Sequence, residues 1–137
     1  MLMDTLVVLC NKNPITRRLT MIDEWLNEIK KTSDPESLGM ILVHNGVVRG
    51  TAKDGKPVKA MQLSYNQDDL DKCVGRLEKR EGITAIRVWI NHGALNIGDD
   101  IMYVLVAGRF RTDVLPVFQE LIATIKGEIV NEKEIAD

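Results

Sequence analysis

Cysteine and histidine are nearly absent from this chain, two of each in 137 residues. Cys10 and Cys73 stand far apart, one at the end of an expected strand and one on the apolar side of an expected helix. That placement indicates neither a disulfide framework nor a redox pair, and both read as buried thiols. With only His44 and His92 to add, no zinc cluster can be drawn, so no protein-bound metal and no cofactor is expected. Long apolar runs are also missing. Nothing approaches the roughly 20 consecutive apolar residues of a membrane span. The opening "MLMDTLVVLCNK" has an apolar patch interrupted by Asp4, with no basic region before it and no small-residue cleavage site after it, so it does not read as a secretory signal. Charge of one sign is lacking too: 18 basic against 20 acidic side chains give a net −2. There is no global basic face for nucleic acid, and any anion site has to be local. The expectation is a cytoplasmic protein of one domain, residues 1–137, without membrane or nucleic-acid partners, and long enough to bury about two-thirds of its unfolded surface.

What is present has a regular order. "TLVVL" (5–9) reads as a strand, followed by a polar turn around Pro14. "TMIDEWLNEIKK" reads as a helix: Thr20 is its expected N-cap, and Ile22, Trp25, Leu26 and Ile29 recur at the spacing of one buried face. Pro35 ends it. "MILVHNGVVRG" (40–50) and "VKAMQLSY" (58–65) read as strands joined by a turn-rich, mobile loop into a long-armed hairpin, with Gly46 marking a bulge or a close approach to the first strand. "DDLDKCVGRLEKREG" is the second helix, with acidic residues in its first turn and a stop near Gly82. Strands at about 84–91 and 100–107 follow as an antiparallel pair around a glycine-bounded connection, Gly93 to Gly98. "TDVLPVFQELIATIKG" is the third helix, with Pro116 in its first turn and Gly127 as C′. The order β-α-β-β-α-β-β-α argues for an α+β domain with helices stacked on a mainly antiparallel sheet.

Four basic residues sit beside breaks in this order: Arg49, Arg111, Lys126 and Lys133. Each has an ordinary explanation alone. Lys126 in a last helical turn complements the helix dipole, worth about 0.3–1 kcal/mol; the others read as solvated surface charges. Lys133 is the odd one, a lone lysine among Glu128, Glu132, Glu134 and Asp137. Lys53, Lys56 and Lys59 read as a solvated loop face or a lid, Trp89 as core or interface, and His92 as a turn residue. "GKP" at 55–57 lacks the glycine spacing of a phosphate loop.

Taken in sequence, "SLGMILVHNGVVRG", "VKAMQLSY", "GALNIGDDIMYVLVAG", Arg111 before a helix, and a helix ending "IK" with a second lysine seven residues on resemble the large, catalytic subunit of molybdopterin synthase. The resemblance runs from about residue 21 to 135. It implies an α/β hammerhead fold with a mainly antiparallel sheet and about three helices. It also implies sulfur transfer from the C-terminal thiocarboxylate of a small ubiquitin-like carrier to cyclic pyranopterin monophosphate, giving the dithiolene of molybdopterin, within a homodimer that forms part of a heterotetramer. By position it makes Lys126 and Lys133 the catalytic pair, on a tail, 126–137, that contributes to the pocket. Arg49 and Arg111 become the residues that hold the phosphate or the carrier tail. Cations suit this work because an anionic tail is drawn in, a phosphate is held, and negative charge develops at the attacked carbon.

The chain departs from the family at several points. Phe110 stands where the family has a histidine and cannot move a proton. "WINHG" (89–93) replaces a histidine-arginine pair, Glu132 an aromatic, and Gln62 or Ser64 an acidic residue. These changes leave a second reading open, a non-catalytic relative that binds the sulfur carrier as an interaction or regulatory module.

Overall fold

The computed structural model describes residues 14–136, with side chains described from residue 21 onward. The strand expected at 5–9 and Cys10 lie outside the described residues. Two compact units follow one another, the first ending at Pro35 and the second beginning at Glu36.

The described part of the first unit is a helix, α1 (Pro14–Thr32). Proline opens it well, because its missing N–H falls where a helix leaves donors unpaired anyway and its φ is already helical. Thr20 therefore lies inside the helix and does not cap it. Lys30 and Lys31 occupy the last turn, where positive charge is favoured. Ser33 N–H closes the end on Ile29 O at 3.0 Å, ahead of Pro35.

The second unit holds two three-stranded antiparallel sheets. The first has the order β1 (Met40–Val47), β5 (Asp100–Gly108), β3 (Ile83–Ile90); the second has the order β4 (Gly93–Asn96), β2 (Val58–Tyr65), β6 (Val130–Ala136). Sequence reading paired β1 with β2, but they lie in different sheets. β1 pairs with β5, His44 facing Val104, and β2 lies between β4 and β6. The turn between them still closes on itself through a Thr51–Pro57 bridge. β5 is the central strand, and residues 101–108 are all buried. Its near-continuous apolar run, "IMYVLVAG", is what a strand covered on both faces needs.

Helix α2 (Gln67–Glu78) starts at Asn66, whose Oδ1 accepts from Asp69 N–H at 3.0 Å. It buries Leu70, Cys73 and Leu77. Burial raises the Cys73 thiol pKa, as expected of an inert structural cysteine. Gly82 follows at φ +80°, a conformation that side chains rarely adopt, and a Cβ there would also collide with Asp113. Helix α3 (Arg111–Thr124) buries Val114, Val117 and Leu121. Pro116 lies in its second turn and not its first, so one helical hydrogen bond is forgone. Val114, Val117 and Leu121 share one core with the buried side of α2, with Val104 and Val106 of β5, and with Met61 and Leu63 of β2. Among the described residues, no helix is long and apolar enough to cross a membrane, and no three His, Cys, Asp or Glu gather as metal ligands would.

α3 does not stop at Gly127. It widens into a π turn (Ile125–Ile129), in which Val130 N–H bonds Ile125 O, and then enters β6. The expected tail is thus an edge strand laid along β2, with Gln62 facing Lys133 and Leu63 facing Glu132.

Candidate functional site

A cleft of about 580 Å³ opens where the end of β1, the loop after it, the π turn and β6 meet. Each wall has a local cause. β1 bulges between Gly46 and Val47, where its register against β5 slips. Val48 is then buried and doubly tied to the β4–β5 turn: its N–H donates to Asp99 O at 2.9 Å and its carbonyl accepts from Gly98 N–H at 2.8 Å. With Val48 fixed inward, Arg49 is presented outward, into the cleft. Arg49 Nε donates to Thr51 O at 2.8 Å, which holds the planar guanidinium while leaving its two Nη groups for a ligand.

Lys126 reaches the same cleft through the π turn. Ile125 and Ile129 are buried and act as anchors, and the residues between them are exposed. Ile129 O also accepts from Asn66 N–H at 3.1 Å, tying the turn to the start of α2. Among the described residues Lys126 has no ion-pair partner. Lys53 and Asp54 line the cleft from the loop, Met61 from β2 and Ile101 from β5. Asp54 is partly committed elsewhere, accepting from Lys56 N–H at 3.0 Å.

Glu132 and Glu134 of β6 form the remaining wall. Side chains alternate along a strand, so Lys133 between them stands on the opposite face, beside its partner Gln62, where both are exposed. Arg111 begins α3 and Lys126 follows that helix, so roughly 20 Å of helix axis separates them. One chain therefore brings Arg49 and Lys126 together and leaves Lys133 and Arg111 outside the cleft. Nor is the cleft purely cationic. Arg49, Lys53 and Lys126 are matched by Asp54, Glu132 and Glu134, so it suits a ligand that carries both anionic and hydrogen-bonding groups.

Sequence reasoning passed over Lys53, the Glu132–Glu134 pair and, as a third feature, His44. Lys53 was grouped with a solvated loop. Glu132 and Glu134 would have been found by period-two alternation, had the tail been recognised as a strand. The third is His44, half-buried on β1, whose ring meets Phe118 edge-on at 6.4 Å. Its Nε2 is inaccessible and has no hydrogen-bond partner among the described residues. Burial, and then the Lys126 charge, lower its pKa below the ordinary 6.5. Because folding favours the neutral ring, its contribution to stability is present above about pH 6.5 and is lost as pH falls below it.

The departures have structural places as well. Phe110 is exposed beneath the Arg109 guanidinium, 4.8 Å from its ring centroid, and Arg109 is held by Asp113 at 3.1 Å. Trp89 stacks on Tyr103 at 5.1 Å, and the Tyr103 hydroxyl donates to Asp100 at 2.6 Å. Both are packing arrangements.

Comparison with known proteins gives the fold a lineage. Residues 18–128 match the model of the MoaE protein family. The structure superposes on molybdopterin synthase from Staphylococcus aureus with a TM-score of 0.66 at 20% identity, covering 81% of this chain and 84% of that one. The complex of subunits 1 and 2 of the molybdopterin-converting factor from Helicobacter pylori gives 0.66 at 15% identity, over 87% and 82%. A molybdopterin biosynthesis MoaE protein from Burkholderia ambifaria gives 0.65 at 19%, over 84% and 82%. Comparison of the sequence with curated proteins finds no match. With the family model matched over most of its length, the chain belongs to the MoaE protein family, and its role lies in molybdenum cofactor biosynthesis.

Proposed function

We propose that this chain is the catalytic large subunit of a molybdopterin synthase, a cytoplasmic sulfurtransferase that moves sulfur from a ubiquitin-like carrier's thiocarboxylate to cyclic pyranopterin monophosphate. The observation that carries the reading is the meeting of Arg49 and Lys126 in one cleft of about 580 Å³, a size suited to a small phosphorylated substrate. The Arg49 Nη pair offers two parallel donors to a phosphate or to the carrier's terminal carboxylate. The Lys126 ammonium, without an ion-pair partner among the described residues, stabilises negative charge as it develops on the attacked group. The Helicobacter pylori neighbour, a complex of two subunits, supports a small protein partner.

Lys133 and Arg111 enter this reading through a second copy of the chain. A homodimer gives each cleft access to side chains from both subunits, and both residues are exposed and able to serve a neighbour. Incubating the purified chain with thiocarboxylated carrier and the cyclic pterin should give the dithiolene product, detected after oxidation to its fluorescent derivative.

A second reading rests on its own observation. Glu132 and Glu134 offset the cations of the cleft, and Phe110 offers no proton, which fits a relative that binds the carrier without turning over. A stable carrier complex with no dithiolene in the same incubation selects that reading.

A further inference from the structure

His44 has no part in the chemistry assigned above, yet its position is specific. It faces Val104 across β1–β5, which turns the ring toward Phe118 of α3. Nε2 is shut off from solvent with no partner, a state that proteins rarely leave unused, since a buried polar atom without a hydrogen bond is destabilising. A Cβ placed on Gly46 would stand 3.5 Å from Nε2 and 3.5 Å from Ile101 Cβ. Ile101 and Val47 are cleft wall. Nε2 and the wall residue Ile101 thus flank the space that a side chain at Gly46 would fill. The groups around the ring are Val104 and Met102 from β5, Phe118 from α3, Gly46 from its own strand, and Lys126 from the π turn. Lys126 is the charged one among them.

We propose that His44 is a positioning residue for Lys126: its neutral ring, with Nε2 bare, accepts a hydrogen bond from the Lys126 ammonium and fixes where that charge stands in the cleft. The bond forms when the flexible lysine stem turns inward. His44 does not take the proton itself, because an ammonium ordinarily holds its proton far more tightly than an imidazole. The consequence for catalysis rests on the sulfur-transfer reading above, whereas the pairing itself is a property of the protein without substrate. Protonating His44 removes the acceptor and sets a second cation beside Lys126, so activity falls on acidification through a pKa that lies below the ordinary 6.5.

Two sets of measurements separate the pairing from the reaction. The chain has two histidines, so a His92→Gln background leaves one imidazole to follow by NMR. The ¹⁵N shifts should show Nε2 as the bare nitrogen, and the His44 pKa should rise toward 6.5 when Lys126 is replaced by methionine. A proton on Nε2, or a pKa unmoved by Lys126→Met, overturns the proposal whether or not the chain makes product. In turnover, His44→Phe, which keeps the ring but not the acceptor, should lower kcat roughly 10- to 100-fold with KM unchanged. His44→Gln, a neutral acceptor that does not titrate, should keep kcat within about threefold of the parent and lose the acid limb. A His44→Phe protein with the parent's kcat and the same acid limb also overturns it. Absence of product from the unmodified chain sinks the sulfur-transfer reading alone and leaves the NMR result to decide the pairing.

Discussion

Replacing Lys126 by alanine should separate activity from stability cleanly, and the structure sets both magnitudes. The side chain is exposed and has no ion pair among the described residues, while its turn is held by the buried Ile125 and Ile129. A surface change of this kind shifts stability by no more than about 0.5 kcal/mol. For 137 residues the unfolding entropy near the midpoint is about 0.29 kcal/mol/K, so Tm should move by less than about 2 °C. Product formation should fall about 10²- to 10³-fold, the loss expected when one stabiliser of developing charge is removed. The neighbouring Ile125→Ala is the contrasting control. It empties a fully buried site, should destabilise by about 2–5 kcal/mol, and should lower Tm by about 7–17 °C. Single-turnover dithiolene formation and differential scanning calorimetry on the same preparations give both numbers. A Lys126→Ala protein that retains more than about a tenth of the parent rate at unchanged Tm refutes the assignment.

Arg111→Ala and Lys133→Ala should each be inactive alone. Mixed in equal amounts with Lys126→Ala and allowed to exchange subunits, each should recover about a quarter of the parent activity, because half the dimers are mixed and each mixed dimer has one intact site. A variant with the parent rate removes that residue from the site, and an inactive one that never complements places it in the same chain as Lys126. Converting both Glu132 and Glu134 to glutamine should tighten binding of inorganic phosphate about fivefold at low salt and by less than twofold in 1 M salt, measured by calorimetry. Equal affinity for the parent and the double variant would show that these carboxylates do not act on the anion.

Much of the architecture was legible where hydrophobic period was strong. β2 was read at its observed limits, α2 and β3 within a residue or two at most boundaries, and the α+β class followed from element order. What failed depended on partners distant in sequence. The short loop between β1 and β2 suggested a hairpin, but β1 has a better partner in β5, whose residues 101–108 are all buried, and tertiary pairing overrode proximity. β4, four residues long, was hidden in the glycine-bounded connection from Gly93 to Gly98. The 126–137 tail was expected to contribute to the pocket but was not read as a strand, because β6 buries little and its pairing comes from β2 and not from its own composition. The same oversight concealed the Glu132–Glu134 wall, while Lys133 was named through the resemblance. The Arg49–Lys126 meeting was reachable only through the resemblance, since spacing alone gave each an ordinary surface role. His44 gave no signal, being one of two adjacent polar residues in an otherwise apolar strand.

The wide turn at Ile125–Ile129 has a genetic consequence. A π turn holds one residue more than the helical turn it replaces, so deleting a single codon there would restore regular winding and leave β6 in its register along β2. A codon removed just after Val130 has no such slack: the residues that follow would move up by one position and change sides, withdrawing two carboxylates and installing an ammonium in their place. The turn thus marks where the chain tolerates a change of length, and the strand where it does not.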